Sequence, residues 1–180
     1  MKITNNPTAL RSQRAIKESL RSLMKEDSFS HISVTEICQQ ASVTRQAFYT
    51  NFRSKEDVLA SILQDIQHEW TEELRKHPAD SLTDQTLVLF ETWYDHRELL
   101  DLLVRDRLST LLVSNLLPEN FQIRFVGDIP SRKRRQLEPM ARAMIIGGIS
   151  NGLWAWSQNQ YRYSCEDMAL VCTNLEVTDD

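Results

Sequence analysis

The sequence is poor in the residues that break helices. Its 180 residues include only four glycines and five prolines, which argues against a turn-rich all-β fold, a collagen-like repeat and a long flexible linker. No apolar run approaches the roughly 18 residues that a membrane-spanning helix needs. These scarcities favour an all-α protein with no membrane partner.

Signals of secretion, metal binding and catalysis are also missing from the sequence. Residues 1–30 are charged and lack the apolar stretch of a signal peptide, so we expect a cytoplasmic protein. Three cysteines without a C-x-x-C pair predict neither a disulfide framework nor a cysteine zinc site. The four histidines are scattered, and no G-x-S-x-G, phosphate-binding glycine loop or H-E-x-x-H occurs. We therefore expect no enzyme activity, no cofactor and no metal.

The charge is divided unevenly along the chain. The net charge is −4 overall, but residues 1–55 hold nine Lys and Arg against four acids, which gives +5 there and −9 in the remainder. A basic N-terminal region can approach a polyanion while an acidic body is repelled, so the molecule is oriented toward nucleic acid without reading its sequence. The alternative is random scatter of charge along the chain.

Apolar residues recur at helical spacing through most of the chain. The N-terminal region predicts a helix over residues 8–25 and two short helices over 34–41 and 44–50. Ser54 can cap a long helix that stops before Pro78. Further helices are predicted after Ser81, over 132–159 and from 164 to 176. Residues 97–117 form a strongly apolar segment that is interrupted by charged residues at 105–107, and 118–131 are predicted to be a loop. We expect an N-terminal domain over 1–53 and a larger helical domain over 54–180.

Residues 33–52 hold the most informative pattern. A helix of about seven residues, a short turn and a second short helix is the spacing of a helix-turn-helix, whose second helix enters the DNA major groove. Arg45 and Gln46 fall in the leading turn of that helix, where Arg can bind guanine and Gln adenine through two hydrogen bonds. Nearby hydroxyls and the Lys55 ammonium can hold phosphates. The predicted DNA-binding residues are Thr35, Thr44, Arg45, Gln46, Tyr49, Thr50 and Lys55.

The same region resembles the N-terminal domain of TetR-type transcriptional regulators. The resemblance covers residues 8–60 and is carried by Val34-Thr35-Glu36-Ile37 to Ala41, Val43-Thr44-Arg45, Phe48-Tyr49, Phe52, Ser54-Lys55-Glu56 and Leu59. It implies an all-helical homodimer with two DNA-binding heads, a larger ligand-sensing body, and repression that a small-molecule effector relieves. Ser42 stands where the family often has glycine, so the turn is either strained, at a cost on the order of 1 kcal/mol, or different in shape. Gln46 replaces a residue that is frequently small.

Two features of the body are candidates for regulation and assembly. An aromatic effector pocket is predicted from Trp70, Phe90, Trp93, Tyr94 and Trp154, and core packing is the alternative explanation for these residues. A helix that is apolar on most faces predicts a dimer interface with the last helix, because one neighbour cannot cover it. The predicted interface residues are Met144, Ile145, Gly148, Leu153, Trp156, Met168 and Val171. A twofold dimer should read a pseudo-palindromic site in double-stranded DNA, with recognition helices about 34–36 Å apart.

The sequence thus predicts a sequence-specific DNA-binding regulator, a repressor released by an effector. The alternative is a helical module that binds another protein through the same surface. Exposed Arg45, Gln46 and Tyr49 on a basic region favour the DNA-binding interpretation.

Overall fold

The fold was described from a computed structural model, for residues 7–77, 81–118 and 129–174. Within these ranges all regular structure is α-helical, as predicted. The helices are α1 (Pro7–Glu26), α2 (Val34–Gln40), α3 (Arg45–Asn51), α4 (Lys55–Lys76), α5 (Leu82–Asp95), α6 (Arg97–Arg105), α7 (Ser109–Asn115), α8 (Ser131–Gln158) and α9 (Cys165–Thr173). The predicted loop over 118–131 and the predicted end of the last helix lie largely outside the described residues. None of the helices described is long and apolar enough to cross a membrane.

The chain divides into two compact units. The N-terminal unit runs to Asp65 and includes the short segment Arg105–Arg107, and the C-terminal unit holds the rest. The first turns of α4 pack into the core of the N-terminal unit. Its buried apolar residues include Ile16, Leu20, Met24, Phe29, Ile32, Ile37, Phe48, Phe52, Val58, Leu59 and Ile62.

Side-chain caps begin the short helices of the N-terminal unit. Ser33 and Glu36 form a reciprocal capping box at the start of α2, and the Thr44 hydroxyl accepts a hydrogen bond from the Ala47 backbone N–H at 3.1 Å. These bonds satisfy backbone donors that have no partner inside the helix. Local sequence therefore decides where α2 and α3 begin.

The C-terminal unit has an aromatic core. Phe90 and Trp156 are fully buried and pack edge to face, with ring centroids 5.4 Å apart. The chain leaves the helical conformation between α6 and α7, where Arg107 has a φ of 56°. After α8, the Tyr161 hydroxyl and the Ser157 hydroxyl both donate to Asp101 Oδ1 at 2.6 Å. Burial, and then the hydrogen bond to the Asp101 carboxylate, raise the pKa of Tyr161 far above its usual value, so the phenol stays protonated and links the end of α8 to α6.

Candidate nucleic-acid interface

A Schellman motif forms the turn between α2 and α3. The backbone N–H of Val43 donates to the Cys38 carbonyl at 3.0 Å, and that of Ser42 donates to the Gln39 carbonyl at 3.2 Å. This motif requires a left-handed residue after the helix cap, and Ser42 has a φ of 53°. Of the two alternatives left open by the sequence, the strained turn is the one the structure contains.

α3 is fixed by one face and displays the other. Phe48 is fully buried and Phe52 is 2% exposed, while Asn51 Oδ1 accepts a hydrogen bond from Gln13 Nε2 of α1 at 3.2 Å. The opposite face carries the exposed residues Arg45, Gln46, Tyr49 and Thr50. These side chains therefore sit on a rigid element whose orientation is set by a buried aromatic anchor.

Some polar side chains on this surface are hydrogen-bonded within the protein, and others are not. Among the described residues, the side chains of Arg45 and Gln46 make no hydrogen bond or ion pair, and the Tyr49 side chain makes no hydrogen bond. The Thr50 hydroxyl donates to the Gln46 carbonyl at 2.8 Å, and the Thr44 hydroxyl is engaged as the helix cap. Arg45 and Gln46 thus retain the donors and acceptors that base-edge recognition requires.

Lys55, predicted to contact a phosphate, is hydrogen-bonded inside the N-terminal unit. Its Nζ donates to three backbone carbonyls of the loop between α1 and α2, those of Phe29 at 2.7 Å, Ser30 at 3.0 Å and Ile32 at 2.7 Å. It also lies 4.9 Å from the centroid of the Phe29 ring. An ammonium has three N–H donors, so all of them are used within the N-terminal unit. Loop carbonyls that lack helix partners explain this arrangement.

A second pair of charged residues, which the sequence reasoning missed, holds the same loop. Asp106 Oδ2 accepts a hydrogen bond from the Phe29 backbone N–H at 2.8 Å. Arg105 Nη2 donates to the carbonyls of Met24 and Asp27 at 2.8 and 2.9 Å. Burial alone would raise the pKa of Asp106, but the hydrogen bonds from Arg105 and Phe29 lower it overall. The only sequence signal was the charged interruption of an apolar segment.

Some of the positive charge of α1 is already neutralised. Arg14 pairs with Glu18 at 2.7 Å, and Lys17 pairs with Asp65 at 2.6 Å. Arg11 and Arg53 stay exposed. The basic excess of the N-terminal unit therefore acts through fewer free cations than the residue count suggests. The described residues include no group of three or more His, Cys, Asp or Glu side chains that could hold a metal ion.

The predicted effector residues differ in how deeply they are buried. Trp70, Phe90 and Trp93 are at most 4% exposed and belong to the core of the C-terminal unit, because their rings pack against neighbouring helices. Tyr94 is 40% exposed, with the Arg97 guanidinium 4.6 Å from its ring centroid. Of the set, Trp154 lines a cleft.

The predicted dimer-interface residues divide into buried ones and exposed ones. Leu153, Trp156 and Met168 are buried inside their own unit, so they offer no surface to a second copy. Ile145 is half-buried, and Gly148 is exposed with free space where a Cβ would lie. Met144 is 73% exposed and Val171 50%. Periodicity alone could not separate the inner face of α8 from its outer face, because both are apolar.

Comparisons with known proteins agree with the helix-turn-helix geometry. The family model described as bacterial regulatory proteins, tetR family, matches residues 16–62. The chain is 30% identical over 122 residues to the uncharacterized HTH-type transcriptional regulator YerO of Bacillus subtilis. It is 32% identical over 60 residues to the HTH-type dhaKLM operon transcriptional activator DhaS of Lactococcus lactis. These matches cover 63% and 33% of this chain, and 39% and 32% of the relatives' own lengths.

The whole described architecture also has solved counterparts. The crystal structure of a TetR transcriptional regulator from Streptococcus agalactiae superposes with a TM-score of 0.58, covering 92% of this chain and 93% of that chain at 19% identity. At this identity the likeness shows the fold. The all-α fold with an N-terminal helix-turn-helix is therefore established.

Proposed function

We propose that the protein is a sequence-specific DNA-binding transcriptional regulator, because residues 16–62 match the model of the tetR family of bacterial regulatory proteins. It acts in the cytoplasm as a repressor that a small-molecule effector releases. The observation that carries the proposal is the exposed face of α3, where Arg45 and Gln46 have unoccupied side chains on an anchored helix. A surface with free base-reading groups next to free cations suits a nucleic acid.

Base recognition is assigned to the leading turn of α3. Arg45 donates to guanine and Gln46 exchanges two hydrogen bonds with adenine in the major groove. Thr35, Tyr49 and Thr50 contact backbone phosphates beside it, and the exposed Arg53 adds positive charge. Lys55 and the Thr44 hydroxyl, which are engaged inside the unit, position the helix.

Two copies of the chain are proposed to bind one operator. The outer face of α8 exposes Met140 and Met144, at 65% and 73%, and α9 exposes Leu170 and Val171. Four such helices from two copies form a self-complementary interface. The resulting dimer reads a pseudo-palindromic operator with half-sites one helical turn apart.

A gel-shift titration against DNA fragments from the genome that encodes this chain tests the proposal. The wild-type chain should give discrete complexes that weaken as salt is raised, because phosphate contacts release counterions. Replacing Arg45 and Gln46 together by Ala should abolish the preference between operator and unrelated DNA, at a cost of about 1–3 kcal/mol for each lost contact. The matched control is Gln39→Ala and Gln40→Ala in α2.

Binding of a protein instead of DNA would contradict the proposal. In that case the wild-type chain gives no discrete complex at low salt, and the Arg45 and Gln46 substitutions change nothing in the titration. Equal binding of operator and unrelated DNA by the Arg45/Gln46 variant and by the Gln39/Gln40 control variant would reject Arg45 and Gln46 as base readers. Phosphate binding would be intact in that case.

A further inference from the structure

The first part of α8 is exposed on all sides. Every one of the six residues from Arg135 to Met140 is exposed, and six consecutive residues pass more than once around a helix with about 3.6 residues per turn. Exposed apolar surface continues at Met144. A short helical segment that packs against nothing is marginal in water, so this part of α8 needs a partner to cover it.

A basic patch lies at the start of this helix. It consists of Arg132, Lys133 and Arg135, which are exposed and make no ion pair among the described residues. The first turn of α8 has no acidic residue, and its N-cap, Pro130, supplies no side-chain hydrogen bond. The helix dipole repels cations at a helix N-terminus. The fold therefore places these charges where they cost free energy unless an anion lies close to them.

An acidic patch lies at the opposite end of the same helix. It consists of Glu91 and Asp95 of α5 and Glu166 of α9, which are exposed and also lack an ion pair in the described part of the chain. Burial raises the pKa of the Cys165 thiol to about 11, and the negative charges of the three nearby carboxylates contribute to the rise. The Trp156 indole N–H donates to the Tyr163 carbonyl at 2.9 Å, which holds the start of α9 beside the last turn of α8.

The two patches are too far apart to pair within one copy. α8 has 28 residues, so its ends lie about 40 Å apart, which is several Debye lengths at physiological salt. A second copy whose α8 runs antiparallel to the first places each basic patch beside the acidic patch of the other copy, and a twofold axis makes the two contacts identical. A parallel pair would bring like charges together. The charges therefore favour the antiparallel pair.

The middle of α8 suits the same arrangement. Leu137, Met144, Gly148 and Ala155 are exposed and recur every four or seven residues, so they share one face of the helix. Gly148 has open space where a Cβ would lie. In an antiparallel pair centred on Ile146, Met144 lies over Gly148 of the second copy and Leu137 lies over its Ala155. Large side chains of one half of the helix thus meet small residues of the other half.

We propose that two copies of the chain pair through antiparallel α8 helices, and that the basic patch of each copy binds the acidic patch of the other. This inference rests on the dimer of the proposed function and adds the direction of pairing and the charged groups that fix it. The second copy covers the exposed start of α8 and supplies carboxylates to the cations of its first turn. Charged contacts of this kind select the orientation of the partner more than they add affinity.

Charge reversal tests the pairing on the full chain, with the dimer dissociation constant from sedimentation velocity as the readout. The basic reversal is Arg132→Glu with Lys133→Glu, and the acidic reversal is Glu91→Lys with Glu166→Lys. Each reversal should weaken the dimer at least about tenfold at low salt, because attractive pairs at two symmetric contacts become repulsive. The variant that carries all four substitutions should dimerise like the wild type, because the facing charges are again opposite.

Two controls separate the contact from net charge and from folding. Arg75→Glu with Lys76→Glu changes the net charge by the same amount at the end of α4, which carries no residue of either patch, and it should leave the dimer unchanged. High salt should reduce the difference between each reversal and the wild type, because it screens exposed charges. Further substitutions do not repair a misfolded chain, so recovery in the variant with all four substitutions reports the contact itself.

Three results would overturn the inference. The first is a wild-type chain that stays monomeric. The second is a dimer that neither reversal weakens, as expected for a parallel pair, in which each patch faces its own counterpart before and after the change. The third is a variant with all four substitutions that dimerises no better than the two separate reversals. Gel shifts of the wild-type chain test DNA binding separately, so failure here and failure of the proposed function are distinguishable.

Discussion

Ser42, in the turn between α2 and α3, has a backbone conformation that is sterically unfavourable for a residue with a Cβ. Its φ of 53° lies in the left-handed region, where a Cβ crowds the following carbonyl. The two Schellman hydrogen bonds hold it there. The strain is local to the connection that sets the angle between α2 and α3.

Ser42→Gly should therefore stabilise the chain by about 0.5–1 kcal/mol, since glycine adopts this conformation without the steric cost. Urea denaturation measures the change in the free energy of unfolding. Gln39→Gly, on the exposed face of α2, is the control and should destabilise by a similar amount. A loss of stability in Ser42→Gly would show that the serine side chain contributes more than its backbone strain costs.

Asp106 is a buried carboxylate that depends on its hydrogen bonds. Its side chain is 5% exposed and faces Arg105 and the Phe29 N–H. Although burial raises the pKa, these bonds lower it below the usual value. A carboxylate whose pKa is lower in the folded state stabilises the fold above its unfolded pKa, and that stabilisation disappears as the pH falls through the folded pKa.

Asp106→Asn should cost about 1–2 kcal/mol at pH 7, where the wild-type carboxylate is ionised and bonded to Arg105. The difference should shrink steadily below about pH 4, the ordinary aspartate range, because the wild-type group then becomes neutral as well. Urea midpoints of both proteins between pH 7 and pH 3 measure it. A difference that stays constant over this range would assign the cost to packing and not to charge.

Among the secondary-structure elements, the loop between α1 and α2 is held from two directions. Lys55, at the start of α4, occupies the carbonyls of Phe29, Ser30 and Ile32. Asp106 accepts a hydrogen bond from the Phe29 N–H. The loop leads directly into the Ser33 cap of α2, so these contacts position the helix that braces α3.

Lys55→Ala should lower the free energy of unfolding by about 2 kcal/mol, because three carbonyls lose a charged donor. The salt dependence of DNA binding should keep its slope, whereas loss of a phosphate contact reduces that slope by about one. The control is Arg53→Ala, which removes an exposed cation two residues earlier and should leave stability unchanged. A reduced slope with unchanged stability in Lys55→Ala would restore the phosphate contact first predicted.

At the scale of the whole molecule, the fold leaves large apolar side chains of α8 and α9 exposed on one face. Met140 and Met144 lie one helical turn apart and are largely exposed. Clusters of exposed apolar side chains are typical of interaction surfaces. The proposed dimer depends on this face.

Met144→Glu should convert the proposed dimer to a monomer, because it places two carboxylates at a twofold contact where they are desolvated and repel each other. Sedimentation velocity measures the change, and operator affinity should fall with it. Leu82→Glu, also at an exposed apolar residue but at the start of α5, is the control. Unchanged sedimentation of Met144→Glu would move the interface elsewhere.

The sequence by itself determined the helices and the exposed face of α3. Caps such as Ser33 and Thr44 and the spacing of apolar residues act over three or four positions, so they can be read from a short window. The left-handed turn at Ser42 could be anticipated from the sequence for the same reason. The DNA-reading candidates Arg45 and Gln46 follow from their position in that local frame.

Only the tertiary structure decided which partner each remaining side chain meets. Lys55 donates hydrogen bonds to carbonyls 23 to 26 residues earlier in the chain, and Asp106 accepts one from an N–H 77 residues earlier. The same holds for Trp70 and Trp93, which are buried, and for Trp154, which lines a cleft. Such contacts depend on how distant elements pack, and a charged or aromatic residue has the same appearance in sequence whether it faces solvent, a carbonyl or a core.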